Sequence, residues 1–411
     1  MSKTKSFIIS KQAVWDSYLK VKSNQGAAGI DQCSIAAFEE DLKNNLYKIW
    51  NRMSSGSYLP PPVLRVEIPK GDGKMRALGI PTVADRIAQT VVKSTLEPEL
   101  ETLFHPDSYG YRPKRSARHA VALARKRCWK HDWVIDLDIK GFFDNIPHDL
   151  MMRAVKKHTN ERWVVLYVER WLKAPVQTRD GIVEERTLGT PQGGVISPLL
   201  ANLFLHYAFD QWMQSNHPAN PFERYADDVV VHCNTEAEAM RLKSDIAKRM
   251  EQCGLELHPE KTNIIYCQDA NRTEENHLHS FDFLGFCFRP RLSRNKNGRY
   301  FVNFSPAIAP KAKQEIFSEI RQWRMHRRSE LSVKELANQL NPVVRGWIEY
   351  YGAFFRSELT FLMYHLDKLI YRWVIRKYKK HGSNFKRAEK WVKRIKRMSP
   401  NYFAHWGLLN A

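Results

Sequence analysis

Apolar residues recur at helical spacing in several long segments of the chain. In the first of these, apolar side chains stand three or four positions apart, as in Phe38, Leu42 and Leu46. This spacing places them on one face of an amphipathic helix. The same reasoning predicts helices over residues 35–53, 83–103, 198–213 and 235–253.

Shorter segments alternate between apolar and polar residues or are rich in β-branched residues, as is typical of strands. Two such runs on either side of Gly71-Asp72-Gly73 predict a hairpin over residues 63–80. A second hairpin is predicted over residues 222–233, around Tyr225-Ala226-Asp227-Asp228. Further single strands are predicted over residues 133–139 and 281–288.

The last quarter of the chain is helical in pattern and strongly basic. Between Lys311 and Arg397 there are 22 Lys and Arg residues against 8 Asp and Glu, which is two thirds of the formal net charge of +21. Boundaries are expected near Pro60-Pro61-Pro62, which cannot continue a helix, and near Ser305-Pro306. The pattern predicts an α+β core followed by a basic helical module.

Composition narrows the classes of function. A chain of 411 residues with 12% aromatic residues is expected to fold into large cores. The sequence has no run of about 18 apolar residues and no secretory signal, which predicts a cytosolic protein without a membrane partner. The six cysteines form no C-x-x-C pair, so we expect reduced, mostly buried thiols. The net charge favours a nucleic-acid partner, the alternative being a merely basic enzyme.

Two acidic segments stand out against this basic background. Asp227 and Asp228 are adjacent at the predicted tip of a hairpin, where they repel each other unless a cation is present. Period-two geometry puts Asp136 and Asp138 on one face of the predicted strand 133–139. If the two strands are neighbours in one sheet, their carboxylates form a cluster suited to Mg²⁺ and to two-metal phosphoryl transfer. A solvated acidic turn is the alternative for the adjacent pair.

Two further segments are candidates for ligand contact. Lys70 and Arg76 flank the predicted turn of the first hairpin and could project together toward an anion, although exposed cations on an ordinary hairpin are equally expected. The segment Thr190-Pro191-Gln192-Gly193-Gly194 precedes a predicted helix. Its two glycines allow the backbone to approach a ligand closely, and a tight loop before a capped helix is the alternative.

The order of these segments resembles that of reverse transcriptases encoded by bacterial group II introns. The resemblance covers nearly the whole chain and rests on RVEIPKGDGKMRALGIPT from residue 65, YGYRP from 109, DLDIKGFFDNI from 136, TPQGGVISPLLANL from 190, RYADD from 224, HPEKT from 258 and FLGF from 283. NQGAAGID from residue 24 looks like the N-terminal extension of that family. NPVVRGWIEYY from residue 341 and FAHW from residue 403 look like its thumb, or maturase, region and its C-terminus.

The resemblance implies a right-hand polymerase fold. Fingers and palm with an antiparallel sheet would occupy residues 61–305, after an N-terminal extension over residues 1–60. A helical thumb or maturase domain would occupy residues 306–411. The implied activity is RNA-directed DNA polymerisation, with two Mg²⁺ ions, or Mn²⁺ as a substitute, adding dNTPs to a primer on an RNA template. The same protein would bind its group II intron RNA as a splicing cofactor.

The resemblance also implies roles for single residues. Asp138, rather than Asp136, opens the family's D-hydrophobic-x-x-F-F pattern, and Asp227 and Asp228 match its YxDD pair. These three carboxylates would be catalytic and would hold the metal ions. Lys261 matches a candidate general acid for pyrophosphate, with a solvated lysine as the alternative.

Other matches concern the nucleotide and the primer. Lys70 and Arg76 match residues that grip the triphosphate, and Gln192 matches one that packs near the incoming nucleotide. Phe143 matches the bulky residue that excludes a 2′-hydroxyl, with a core aromatic as the alternative. The primer grip would be formed by FLGF, which reads equally well as a core strand and comprises Phe283, Leu284, Gly285 and Phe286.

The implied partners are intron RNA, an RNA template–DNA primer duplex and dNTPs, in the bacterial cytosol or nucleoid. The family often adds an endonuclease after the thumb, but this sequence has no matching Cys/His pattern, so no strand-nicking activity is expected.

Two alternatives stay open. One is a domesticated reverse transcriptase used in defence or repair, and the other is an RNA-binding maturase in which polymerisation is secondary. Aromatic residues among the cations of the tail suit RNA or a duplex, although about half are expected in the core.

Overall fold

The computed structural model describes residues 6–69, 75–274, 277–295, 297–378 and 384–409. The described chain forms two compact units. The first unit comprises the residues up to Ser116 together with Ile135–Ile264, and the second comprises Ala117–Val134 together with the residues from Ile265 onward. Both units contain helices and antiparallel strand pairs, which confirms the α+β prediction.

Sixteen α-helices are found in the described residues. They are α1 Lys11–Asn24, α2 Ile35–Glu40, α3 Leu42–Ser55, α4 Val83–Leu103, α5 Ala117–Cys128, α6 Phe142–Asn145, α7 His148–Lys157, α8 Arg162–Lys173, α9 Ser197–Leu205, α10 Gln211–Asn216, α11 Glu236–Gln252, α12 Pro310–Gln322, α13 Val333–Tyr351, α14 Ser357–Lys377, α15 Phe385–Met398 and α16 Ala404–Leu409. A π-helical turn, His206–Asp210, joins α9 to α10, and a 3₁₀ turn, Met325–Arg327, follows α12.

The strands of the described residues form three sheets, with the orders β2-β1-β4-β5, β6-β7-β3-β8 and β11-β10-β9. They are β1 Val63–Pro69, β2 Met75–Ile80, β3 Trp133–Asp138, β4 Val176–Gln177, β5 Val183–Glu184, β6 Phe222–Tyr225, β7 Asp228–Cys233, β8 Asn263–Tyr266, β9 Phe281–Phe283, β10 Phe286–Arg294 and β11 Tyr300–Ile308. The second sheet brings the two acid-bearing segments together, because β7 pairs with both β6 and β3.

Long segments with strong periodicity fold as predicted. The helix expected over residues 83–103 is α4, which begins where the Thr82 side chain accepts a hydrogen bond from Asp85 N. The hairpins over residues 63–80 and 222–233 are β1–β2 and β6–β7. The tip of the first hairpin, with Lys70 and the glycines, lies outside the described residues.

Two predictions are corrected. The helix over residues 35–53 is interrupted at Asp41, whose backbone is not helical (φ −127°, ψ 47°) and whose carboxylate accepts a bond from Asn44. The single strand over residues 281–288 is two strands. They are joined by a turn at Leu284-Gly285, where both residues have positive φ. Ser305-Pro306 lies inside β11, and the helical region begins at Pro310. The domain boundary near residue 306 stays a prediction.

The basic helical region, α12 to α16, buries a large apolar core. Trp373 is fully buried there, and several other aromatic residues of the segment pack against the same core while partly exposed: Trp347, Tyr351, Tyr371, Tyr378 and Trp391. These aromatics therefore contribute to packing, and the charge is carried on the outward faces of the helices.

A buried carboxylate docks the last helix. Asp367 Oδ1 on α14 accepts hydrogen bonds from His405 Nε2 at 2.8 Å and from Trp406 Nε1 at 2.9 Å. All three residues are buried. Two donors of the FAHW segment therefore depend on one acceptor in α14.

Replacing Asp367 by Ala leaves both donors buried without an acceptor. Because an unsatisfied buried polar group costs about 1–3 kcal/mol, we expect Asp367→Ala to lower the free energy of unfolding by about 3 kcal/mol in urea denaturation. Glu330→Ala removes an exposed carboxylate of the same unit and serves as the control. Equal unfolding midpoints for the two variants would contradict the role of Asp367.

Candidate active site

The β6–β7 hairpin presents the adjacent carboxylates at its tip. Tyr225 pairs with Asp228, so Ala226 and Asp227 form a two-residue turn. Ala226 has a φ of 58°, in the left-handed region that glycine usually occupies in such turns. Asp227 lies in the turn and Asp228 begins β7, and both are half-buried.

Asp138 ends the neighbouring strand β3. Burial raises the pKa of Asp227, and the negative charge of Asp138 raises it further, whereas Arg76 and Arg224 lower it. The carboxylates of Asp138 and Asp227 are therefore within electrostatic reach of each other. The structure brings these two predicted residues together from segments about ninety residues apart in the sequence.

Lys261 contacts the same cluster. Its Nζ lies 2.9 Å from Asp138 Oδ2, and its side chain is 61% exposed. The backbone holds this arrangement, because His258 N donates to Asp138 O at 2.7 Å. An exposed ion pair contributes at most about 1 kcal/mol, so another cation can readily replace the ammonium group on this carboxylate.

The donor set fits a divalent ion. Carboxylate oxygens are the ligands that Mg²⁺ prefers, and the ammonium group of Lys261 already stands as a cation on Asp138. Among the residues that the structure describes, no three His, Cys, Asp or Glu side chains are gathered as a ready-made metal site. The residues available to a divalent ion are Asp138 and Asp227, with Asp228 next in the chain.

A buried arginine supports the hairpin from below. Arg224 and Asp210 are fully buried and form a two-pronged ion pair, with Nε–Oδ1 at 2.7 Å and Nη2–Oδ2 at 2.6 Å. Arg224 Nη1 also donates to Asn202 Oδ1 at 2.9 Å and to Ala226 O at 3.1 Å. The guanidinium group therefore holds the backbone of the turn that carries Asp227.

The YGYRP segment packs against the same hairpin. Tyr109 N donates to Arg224 O at 2.8 Å, and Gly110 O accepts from Asn202 Nδ2 at 2.7 Å. A Cβ atom on Gly110 would lie 2.5 Å from Ala226 N, which is too close for any side chain without a backbone shift. Glycine is therefore required at this position by the close approach of two backbone segments.

Gln192 connects two predicted nucleotide contacts. Arg76 Nε donates to Gln192 Oε1 at 2.7 Å, and Gln192 Nε2 lies 3.4 Å from Asp144 Oδ2. Gly79 N donates to Gln192 O at 2.7 Å, which ties the loop to β2. Arg76 and Gln192 thus lie together, whereas Lys70 lies outside the described residues.

Phe143 lies in α6 and is only 7% exposed. Its ring meets that of Phe142 edge to face at 5.3 Å, and its carbonyl accepts from Thr190 N at 2.7 Å. The backbone of Phe143 therefore joins α6 to the loop that carries Gln192. Its role as a sugar gate stays a prediction, as does the alternative of a core aromatic.

The predicted primer grip lies in the second unit. Phe283 and Phe286 are fully buried on either side of the β9–β10 turn, and Leu284 O accepts from Tyr350 OH at 2.8 Å. Gly285, at the tip, is exposed. The two phenylalanines are core residues, and the backbone at Leu284 and Gly285 is the accessible part of the motif.

Sequence reasoning missed the support of the site. Asp210 and Asn202 are polar residues inside a segment otherwise predicted as a mostly apolar helix, and both are buried. Because buried polar groups need partners, their position in an apolar run was a usable signal. Tyr111 was also missed; burial and then Asp227 raise its pKa, which places its hydroxyl near that carboxylate.

Comparison with known proteins identifies the class. The family model for reverse transcriptase (RNA-dependent DNA polymerase) matches residues 68–288, and the model for the group II intron maturase-specific domain matches residues 313–394. The first match spans more than half of the chain. The chain therefore belongs to the reverse transcriptase family, in the group II intron branch that carries a maturase-specific domain.

Two relatives found by sequence agree with the family matches. Protein YkfC of Escherichia coli K12 is 32% identical in an alignment of 287 residues that covers 60% of this chain and 75% of YkfC. Group II intron-encoded protein LtrA of Lactococcus lactis subsp. cremoris is 34% identical over 204 residues, which is 49% of this chain and 33% of LtrA. Among solved structures, telomerase from Candida albicans with a TWJ fragment of telomeric RNA has a TM-score of 0.47 and 11% identity, over 92% of this chain and 68% of that one.

The family matches and the sequence relatives confirm the resemblance seen in the sequence, including the reverse transcriptase fold and RNA-directed DNA polymerase activity. Reverse transcriptases use divalent metal ions, and a reverse transcriptase with a maturase-specific domain has nucleic acid partners. The chain spans a third of LtrA. None of the described helices is long and apolar enough to cross a membrane.

Gly110→Ala tests the support of the hairpin. The added methyl group forces the Ala226 backbone to move, so we expect primer extension per folded molecule to fall at least about tenfold, since ångström-scale misplacement costs up to about 10²-fold in rate. Gly346→Ala is the control, because a Cβ there meets nothing within 4 Å. Full activity of Gly110→Ala would show that the contact does not position the turn.

Proposed function

We propose that the chain extends a DNA primer on an RNA template with two Mg²⁺ ions, or Mn²⁺ in their place, and also binds group II intron RNA as a splicing cofactor. The observation that carries the polymerase part is the approach of Asp138 and Asp227 at the ends of neighbouring strands, inside the residues that match the reverse transcriptase family. Residues 1–60 would form the N-terminal extension, residues 61–305 the fingers and palm, and residues 306–411 the thumb or maturase domain.

The carboxylates have a defined task in this proposal. Asp138, Asp227 and Asp228 would hold the metal ions. The chemistry that bound ions would supply is activation of the primer 3′-hydroxyl and stabilisation of the pyrophosphate leaving group. The Arg224–Asp210 pair would keep Asp227 in place, because the fully buried guanidinium group of Arg224 donates to the carbonyl of Ala226 in the same turn.

The cations around the carboxylates serve the triphosphate. Arg76 and Lys70 would bind its oxygens, with Gln192 orienting the Arg76 guanidinium through their 2.7 Å hydrogen bond. Lys261 would leave Asp138 when a metal ion binds and donate a proton to the departing pyrophosphate. The backbone at Phe283, Leu284 and Gly285 would hold the primer end.

Intron RNA binding is supported by a separate observation. The maturase-specific match spans residues 313–394, inside the segment with 22 basic and 8 acidic residues. A cationic helical surface suits a phosphate backbone, and affinity of this kind falls with salt. An RNA-binding maturase with secondary polymerase activity would rest on the same surface.

Asp138→Asn tests the polymerase claim, with Asp136→Asn as the matched control on the same strand. Loss of a metal-binding carboxylate should reduce Mg²⁺-dependent primer extension on an RNA template at least about 10³-fold, since two-metal clamping supplies several kcal/mol of transition-state stabilisation. The rate of primer extension by Asp136→Asn should stay within about threefold of the wild-type rate. Both variants should keep their affinity for intron RNA. Equal extension by the two variants would contradict the assignment of Asp138.

Phe143→Ala tests the sugar gate. If the ring excludes a 2′-hydroxyl, its removal should raise the ratio of ribonucleotide to deoxynucleotide incorporation at least about tenfold, on the order of 1.4 kcal/mol of discrimination. Single-nucleotide kinetics with dNTP and rNTP measure that ratio. Phe142→Ala, which removes the adjacent buried ring, is the control. A drop in both rates with an unchanged ratio would favour the core-aromatic interpretation.

A further inference from the structure

The helical region of the second unit contains a cavity of about 520 Å³ with a wholly basic polar rim. Four arginines and two histidines line it, over a floor of aliphatic side chains from α12 and α14. We call it the arginine cavity; its polar residues are Arg321, Arg324, His326, His365, Arg372 and Arg376. Among the described residues, no Asp or Glu lines it.

The cavity is assembled from separate elements. Arg321 lies in the last turn of α12, whereas Arg372 and Arg376 lie near the end of α14. Arg324 sits between α12 and the 3₁₀ turn with a φ of 46°, a left-handed conformation that is uncommon for a side chain of this size. The backbone thus adopts an unfavourable conformation at the residue that completes the cationic rim.

Several other cations of this unit are paired with carboxylates, but the four arginines of the cavity are not. Arg291 and Lys313 both pair with Glu358, and Arg272 pairs with Asp269. In contrast, the guanidinium groups of the arginine cavity form no ion pair or hydrogen bond with any residue that the structure describes. All four arginines are exposed to solvent: Arg321, Arg324, Arg372 and Arg376.

The pKa of His365 also indicates a positive electrostatic potential in the arginine cavity. Burial lowers the pKa of His365, and the charges of Arg372, Lys368 and Arg321 lower it further. Four unneutralised cations repel one another in the free protein, so a bound anion relieves this repulsion. The cavity volume lies within the range of ordinary ligand sites and is large enough for a nucleotide.

The residue type indicates which anion fits. Arginine presents a planar fork that binds phosphate oxygens in pairs, whereas lysine acts as a point charge. Folded RNA presents phosphates from different directions. Arginines from two helices around one cavity suit such phosphates better than arginines in a straight run along one helix do. All the lining residues from Arg321 to Arg376 also fall within the maturase-specific match.

We propose that the arginine cavity binds the phosphodiester backbone of structured RNA, at a site distinct from the polymerase carboxylates of the first unit. The inference rests on the proposed intron RNA binding and names the residues that perform it. Arg321 and Arg372 would contact phosphates from opposite walls, and the apolar floor would accept the sugar face.

The test compares two pairs of substitutions in the full chain. Arg321→Gln/Arg372→Gln removes two cations from the cavity, and Lys126→Gln/Lys130→Gln removes two exposed cations of the same unit that lie outside the maturase-specific match. Binding is measured against a folded group II intron transcript, an unstructured RNA of equal length and a DNA duplex, over a series of salt concentrations. Thermal melting checks that both variants fold.

The cavity variant should bind the folded transcript at least about tenfold more weakly, with the salt slope reduced by about 2, because roughly one counterion is released per phosphate contact. The Lys126/Lys130 pair should change affinity by about threefold or less, as expected of charges outside the proposed RNA-binding surface. Primer extension on an unrelated short template should be unchanged in both variants.

Equal RNA affinity and salt slope for the two variants would overturn the proposal, as would an equal loss for all three nucleic acids. If the cavity variant kept its RNA affinity but lost binding to polyglutamate, the partner would be an acidic protein, and the proposal would also be overturned. Failure of the wild type to extend any primer bears on the polymerase alone, because binding to the transcript is measured without dNTPs.

Discussion

The buried ion pair between Arg224 and Asp210 is the interaction on which the candidate active site depends. A charge in a protein interior is tolerated only when it is paired and hydrogen-bonded, and this pair meets both conditions. The remaining donors of Arg224 reach Asn202 and the carbonyl of Ala226, a residue in a strained conformation. Removing one partner would leave an uncompensated buried charge directly behind Asp227.

The other cations of the site offset the negative charge that Asp138 and Asp227 concentrate at one edge of the sheet. Asp138 and Asp227 raise the electrostatic energy of the sheet edge that they share, and burial adds to it. Lys261 and Arg76 offset that energy from the exposed side, whereas Arg224 does so from the buried side. The exposed cations are replaceable and the buried one is not, so the site can exchange cations without losing its shape.

The second unit contains a cluster of positive rather than negative charge. There, the arginine cavity collects positive charge without a counterion among the described residues. The same chain thus has a carboxylate cluster that requires cations and an arginine cluster that requires anions. Both clusters are consistent with a protein whose partners are metal ions and nucleic acid. The net charge of +21 also favours a nucleic acid partner.

Periodicity predicted the elements that local residues determine, such as α4, β3 and the β6–β7 hairpin. It could not predict features that depend on contacts distant in sequence. The choice between Asp136 and Asp138 is one example, because both lie on one face of β3 and the approach of Asp138 to Asp227, which distinguishes them, joins segments distant in sequence. The pairing of Arg224 with Asp210 is another, since it joins a strand to a π-helical turn. The turn at Leu284-Gly285 was missed because phenylalanines on both sides made the segment look continuous.

Anomalous scattering from Mn²⁺ in crystals of the protein with an RNA template, a DNA primer lacking its 3′-hydroxyl and a dNTP tests whether Asp138 and Asp227 hold the catalytic metal ions. This assignment predicts two anomalous peaks, each within about 2.0–2.3 Å of carboxylate oxygens of Asp138 and Asp227, as expected of oxygen-bound divalent ions. Lys261 should then have left Asp138. Peaks bound elsewhere, with the Lys261–Asp138 ion pair intact in a complex that holds primer and dNTP, would contradict it.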